Sequence, residues 1–200
     1  LMSVPATTLE AAVAARVLSS MKDERTRAEK AYAIPRKKLA VKSRAAFLRQ
    51  LESALYAAKI AAYAQGFAVM EAASREFTWN LPMATIARIW RAGCIIRSQF
   101  LDTIASAFEQ NKGLSNLLLA PDFVTMMQGA TPALRHIVAR GAQEGLPLPA
   151  LSSALAFFDS YRQARGTANL IQAQRDFFGA HGFKRLDAEG DFHGPWGSGN

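Results

Sequence analysis

Apolar residues recur at three- and four-residue intervals along almost the whole chain, the spacing of amphipathic helices. In "TTLEAAVAARVLSSMKDERTRAEK", Leu9, Val13, Val17 and Met21 repeat every four residues, and threonines after Pro5 stand where a helix cap is expected. Residues 44 to about 77 form the longest predicted helix. Its apolar face is traced by Phe47, Leu48, Leu51, Leu55, Ala58 and Ala62, with Arg44, Arg49 and Glu52 off it. Ala54, Ala57, Ala58, Ala61, Ala62 and Ala64 are small enough to let a neighbouring helix approach closely.

Pro82, Pro121, Pro132 and Pro149 punctuate shorter helices, since proline is tolerated in a first turn and not beyond it. No run alternates at period two, so no sheet is expected. The pattern predicts an all-α fold of about seven helices followed by a C-terminal arm. Three segments also look alike: "VPATTLEAAV", "LPMATIARIW" and "LPALSSALAF" each lead from an apolar residue and proline into a helix. This suggests a duplicated helical unit, although shared capping chemistry accounts for part of the likeness.

With 200 residues, half of them hydrophobic and a fifth charged, the chain is long enough to bury a core. Apolar runs such as "LYAAKIAAYA" contain a lysine and are too short to span a bilayer. No basic-then-apolar leader opens the sequence, so secretion is not expected. The single cysteine, Cys94, excludes an internal disulfide framework and reads as a small buried hydrophobe.

Charge changes the picture in one place. Residues 1–50 hold eleven Lys/Arg against four Asp/Glu, nearly all of the net +8, concentrated around "IPRKKLAVKSR". A solvated basic loop explains this, as does a site for phosphorylated small molecules. Nothing resembling a nucleic-acid-binding signature accompanies the charge, so no nucleic-acid partner is expected.

Self-contained catalytic apparatus is not visible. No G-x-G-x-x-G or P-loop occurs, and His136, His181 and His193 lack metal-ligand spacing. Arg16 stands out because its neighbours, Ala11 to Ala15, Val17 and Leu18, read as buried. A guanidinium there requires an acid or phosphate, and Asp23 and Glu24 are candidate partners within the chain. The segment "NLIQAQRDFFGAH" is unusually rich in functional groups for a position near a chain end. Arg175 and His181 lie six residues apart, about 240° around an unbroken helix, and would diverge. Gly179 is placed to end that helix, so that "AHGF" folds back and the two groups converge. The remainder, "RLDAEGDFHGPWGSGN", is polar and glycine-rich and needs something to lie against.

The stretches "VPATTLEAAVAARVLSSMKDER", "ALYAAKIAAYAQGF", "IARIWRAGCIIRSQFL", "NLLLAPDF", "LPLPALSSALAFFDSYR" and "ANLIQAQRDFFGAH" resemble, in order, the C-terminal helical portion of the decarboxylating 6-phosphogluconate dehydrogenases. The resemblance implies an NADP-linked, cytoplasmic enzyme of the pentose phosphate pathway. Such an enzyme oxidises 6-phosphogluconate at C3, after which the β-keto acid loses carbon dioxide to give ribulose 5-phosphate. It further implies a homodimer whose helical domain forms the subunit interface, with no membrane partner. Residues 1–165 would be the dimerisation and substrate domain, and residues 166–200 a helix and tail reaching the partner subunit. Arg175 and His181 match the arginine and histidine delivered by that tail, and Arg16 matches the phosphate-binding arginine.

Departures accompany the match. The family's dinucleotide-binding domain, its Ser-Gly-Gly loop, and the lysine and glutamate serving as base and acid have no counterpart here. The chain is therefore expected to be a C-terminal piece, with NADP belonging to the complete enzyme and not to these residues. A helical interaction module derived from such an enzyme, without catalysis, is the rival expectation. Ala92, "RGTANL" and "HGFKR" depart from the family's usual residues and bear on the geometry of the tail.

Overall fold

A computed structural model describes residues 3–33, 39–93 and 98–196. Cys94 and the basic residues Arg36, Lys37 and Lys38 lie outside the described residues. The described elements are α1 (Thr7–Ser20), α2 (Lys22–Tyr32), α3 (Arg44–Glu76), α4 (Met83–Gly93), α5 (Leu101–Gln110), α6 (Pro121–Gln143), α7 (Pro149–Tyr161) and α8 (Ala168–Gly179), with a 3-10 turn at Leu117–Leu119. Eight α-helices thus replace the expected seven. The extra one arises where the first predicted stretch breaks at Met21. There Ser20 donates its hydroxyl to the Val17 carbonyl at 2.7 Å, a local bond that competes with helix continuation. Among the described residues, extended pairing is confined to one isolated bridge between Phe183 and Phe192.

Two compact units are formed, Leu1–Phe157 and Phe158–Asn200. The first is organised by α3, which at 33 residues is the longest described helix, as the periodicity predicts. Ser43 caps it, accepting from the Ala46 amide. Ala54, Ala57, Ala61 and Ala64 are all fully buried, and α3 packs against α6. The buried side of α3 is thus its alanine side. Leu48, Leu51 and Leu55, read from the sequence as the apolar face, are instead 50%, 36% and 57% exposed. Farther along, aromatic rings take over the core. Tyr63 meets Phe100 edge-on at 4.9 Å, and Phe67 lies 5.4 Å from both Trp90 and Phe108. These contacts seat α4 and α5 on the C-terminal half of α3.

Proline acts at helix starts, with one exception. Pro121 and Pro149 open α6 and α7, and Pro82 immediately precedes α4. Pro132 instead lies inside α6, where the preceding Thr131 donates its hydroxyl to the Met127 carbonyl at 2.5 Å. The end of α6 is built on Gly145, whose φ of +67° lets the Leu146 amide reach back to the Gly141 carbonyl at 2.8 Å. Leu148 then packs over Gly141, at a spot where any Cβ would lie 2.5 Å from its side chain.

Because the alanine face leaves no spare volume, enlarging it should cost stability. Ala61→Leu is expected to destabilise the chain by about 1–3 kcal/mol, read as a lower urea midpoint. An unchanged midpoint would show that α3 does not depend on this close approach.

Candidate functional site

The residues singled out in the sequence fall into both units. Arg16 is on α1 in the first unit, and Arg175 and His181 are at the end of α8 in the second.

Arg16 is exposed, contrary to the burial its neighbours suggest. The reason lies in how little of α1 is covered: Thr8 is its single buried residue, and Val13 and Val17 are 65% and 57% exposed. Neither Asp23 nor Glu24 pairs with Arg16, and among the described residues its guanidinium has no acceptor. The threonines do not cap α1 as expected either. Ala6 occupies the cap position and offers no side-chain bond. Thr8 turns inward instead, where its amide donates to Gln65 Oε1 and its Oγ1 accepts from Gln65 Nε2, both at 2.9 Å.

At the other end of the chain, Asp176 organises the tail. It is 2% exposed and accepts four hydrogen bonds: from the Gly182 amide at 2.7 Å, His193 Nδ1 at 2.7 Å, the Gly194 amide at 2.8 Å and the Trp196 indole at 2.6 Å. A carboxylate with four donors and no proton is a satisfied anion. The Gly194 amide above all, then the Trp196 indole, His193 and the Gly182 amide, hold its pKa well below the usual carboxylate range, against the opposing effect of burial. Asp176 carries no weight in the sequence reading beyond its presence in a polar cluster. The signal for it was the donor-rich tail, which folds back onto the end of α8.

The helix ends at Gly179, as expected, although the left-handed conformation falls on the next residue, Ala180, at φ 48°, whose amide bonds to the Asp176 carbonyl. A second left-handed residue, Gly182 at φ +72°, completes the reversal. The His181 ring lies beside Gly179, 3.0 Å from where a Cβ would stand, so a larger residue there would push the ring aside. Convergence of Arg175 and the residues after the helix is achieved through Gln172. Its Oε1 accepts from Arg175 Nη1 at 3.1 Å, while its Nε2 donates to the Gly182 carbonyl. Both Arg175 and His181 remain exposed. The bridge between Phe183 and Phe192 closes the following loop, in which Arg185 pairs with Asp187 and lies 5.4 Å from the Phe192 ring.

Among the described residues, no three His, Cys, Asp or Glu side chains cluster as metal ligands. Nor is any helix among them long and apolar enough to cross a membrane. His136 is exposed on α6, as its amphipathic context predicts.

The lowered pKa of Asp176 sets a sign for pH. A carboxylate whose folded-state value lies below its unfolded value of about 3.9 stabilises the fold above that pH and loses its contribution on further acidification. The tail should therefore stay closed from neutral pH down to about 5 and loosen below about 4. Asp176→Asn should loosen it at neutral pH, because the amide cannot accept on both sides. Amide exchange across residues 182–194 reads both effects. Equal protection in Asp176→Asn and the unmodified chain would remove Asp176 from its central place.

The comparisons with known proteins bear on the whole of this arrangement. The model of the 6-phosphogluconate dehydrogenase C-terminal domain matches residues 1–196. A decarboxylating 6-phosphogluconate dehydrogenase from Klebsiella pneumoniae is 49% identical over 192 residues, covering 96% of this chain and 41% of that protein. Its counterpart from Staphylococcus aureus strain N315 is 47% identical over 195 residues, covering 98% and 42%. Among solved structures, Plasmodium falciparum 6-phosphogluconate dehydrogenase superposes with a TM-score of 0.89 at 39% identity, over 96% of this chain and 42% of that one. That enzyme was solved without ligand, with its cofactor NADP+ and with its substrate 6-phosphogluconate. The chain spans about two fifths of the length of these relatives, and it belongs to the 6-phosphogluconate dehydrogenase family as its all-helical C-terminal domain.

Proposed function

We propose that this chain supplies the dimerisation surface and part of the substrate site of an NADP-dependent 6-phosphogluconate dehydrogenase, the oxidative decarboxylase that forms ribulose 5-phosphate. The observation that carries the reading is the state of its three candidate ligands. Arg16, Arg175 and His181 are all exposed, and none of them pairs with a carboxylate among the described residues. Two guanidinium groups and an imidazole left open to solvent suit an anionic ligand arriving from outside.

In this reading, Arg16 and Arg175 hold the substrate phosphate. A guanidinium presents a planar fork of donors that matches two phosphate oxygens, while the His181 imidazole donates to a substrate oxygen. Residues 166–200 deliver Arg175 and His181 to the partner subunit's site, and residues 1–165 carry Arg16 and the interface. NADP, when bound, accepts the hydride. The described residues do not fit that cofactor, because they contain no strand-to-helix unit of the kind that cradles a dinucleotide. No step is assigned to this chain beyond binding and orienting the substrate.

Dimerisation is supported by apolar side chains left uncovered on two helices. Leu9, Val13 and Val17 on α1, and Leu48, Leu51 and Leu55 on α3, range from 36% to 65% exposed. Ala54, Ala57, Ala58, Ala61 and Ala64 of α3, small enough to admit a neighbouring helix, are buried inside the unit and so are unavailable to a second copy. Burying a Leu or Val side chain contributes about 1.5–3 kcal/mol, so one charge placed here should weaken association by roughly tenfold or more. Leu51→Asp is therefore expected to shift sedimentation toward monomer. A chain that is monomeric before the substitution would count against the dimer.

The substrate reading is tested by fusing this chain behind the N-terminal portion of the Klebsiella pneumoniae relative, which the match does not cover. The fused enzyme should reduce NADP with 6-phosphogluconate, and the chain alone should not. Arg16→Ala in the fused enzyme should weaken substrate binding by about 1.5–3 kcal/mol, the scale of hydrogen bonds to a charged group. His181→Ala should also weaken it, with NADP affinity unchanged in both. Unaltered substrate affinity in either variant would remove that residue from the site.

A further inference from the structure

Gln65 is fully buried in the middle of α3, surrounded in sequence by the alanine positions that pack the core. Both polar atoms of its side-chain amide bond to one residue, Thr8, through the two 2.9 Å bonds given above. The Thr8 amide belongs to the first turn of α1, where helix donors have no intrahelical acceptor. With Ala6 at the cap position, no local side chain satisfies it. Gln65 thus caps α1 from 57 residues away.

Within its own unit, little else holds α1. Thr8 is its single buried residue, and the least exposed positions after it are Ala11 and Ala15. At about 100° per residue these two fall within about 60° of Thr8, so the stripe nearest α3 is threonine followed by alanines. Alanine sets how closely two helices approach but interlocks little, so it scarcely restricts sliding or rotation. The reciprocal amide pair is directional and does both. Arg16 lies eight residues on, about 12 Å along the axis and about 80° around from Thr8. A small roll of α1 at Thr8 therefore carries the Arg16 guanidinium sideways.

We infer that Gln65, acting through Thr8, is the positioning residue that sets the register of α1 and so places Arg16 for the substrate phosphate. This rests on the proposed role of Arg16, and it adds a requirement in a buried residue that no substrate touches. The phosphate contact then depends on a hydrogen-bonded lock in the core as well as on the arginine itself.

The test uses Thr8→Val, which keeps the side-chain shape and removes the hydroxyl, Gln65→Leu, which removes both bonds, and Thr8→Ser, which keeps them. Amide exchange across residues 9–18 should speed up about tenfold or more in the first two, and stay near its original rate in Thr8→Ser. In the fused enzyme, the first two should raise KM for 6-phosphogluconate about tenfold, with kcat less affected and KM for NADP unchanged. Thr8→Ser should restore the original KM. General loss of fold would instead depress kcat and move both KM values together.

Three results overturn the inference. The first is unchanged exchange in α1 for both Thr8→Val and Gln65→Leu. The second is faster exchange with an unchanged 6-phosphogluconate KM, while Arg16→Ala raises it; the role of Arg16 then stands and the lock does not matter. The third is an Arg16→Ala variant with unchanged KM, which removes Arg16 from the site and the positioning role with it.

Discussion

The close approach that alanine permits along α3 is the constraint on which the first unit depends. A helix whose buried positions are alanine can lie close to its neighbour, and the fully buried Ala54, Ala57, Ala61 and Ala64 occupy just such a row. Dispersion gained at short range replaces the bulk of larger side chains. The larger side chains of the same helix are displaced to other faces. Aromatic rings fill the wider space at the C-terminal half, where α4 and α5 sit, and leucines near the N-terminal half point outward. One packing choice thus makes the core thin and leaves apolar side chains uncovered.

A thin core restricts register weakly, and the fold compensates with buried polar groups. Gln65 and Asp176 stand among the largest fully buried side chains, and every polar side-chain atom of each has a hydrogen-bond partner. They work in opposite directions along the sequence. Gln65 reaches from a long helix to fix the start of a distant one. Asp176 gathers donors from the twenty residues that follow it, so a tail with few apolar contacts still acquires a defined path. In each case a buried polar atom without its partner would be costly, and that cost selects one arrangement over its neighbours.

This division explains which features were legible in the sequence. Helical periodicity and proline spacing depend on local geometry, and they located α3 closely and most of the shorter helices. The choice of buried face on α3 is a tertiary decision between two apolar stripes, and hydrophobicity favoured the wrong one, because leucine outranks alanine on any such scale. Gln65 was visible as a polar residue on the alanine row, but its partner 57 residues away was not. The break at Met21 and the left-handed Ala180 turn on single hydrogen bonds that leave no periodic trace. Arg16, Arg175 and His181 stood out from their sequence context, and family resemblance supplied their roles. That none of them pairs with a carboxylate among the described residues could be seen only once the helices were placed.

That open state differs between the arginines in a way that suits two kinds of task. Arg175 is already restrained, because Gln172 accepts from it and is itself tied to the Gly182 carbonyl next to His181. An arginine side chain carries about 2 kcal/mol of rotamer entropy, and a portion of that loss is incurred before any ligand arrives. Arg16 has no such tether, and its placement depends on the helix beneath it. In the proposed role, a tail entering another molecule's site would gain from carrying Arg175 already tied, through Gln172, to the backbone beside His181. An arginine on a helix seated against its own core has less need of a side-chain tether, provided the helix itself cannot roll. Preorganisation is thus located in the side chains of one unit and in the buried backbone contact of the other.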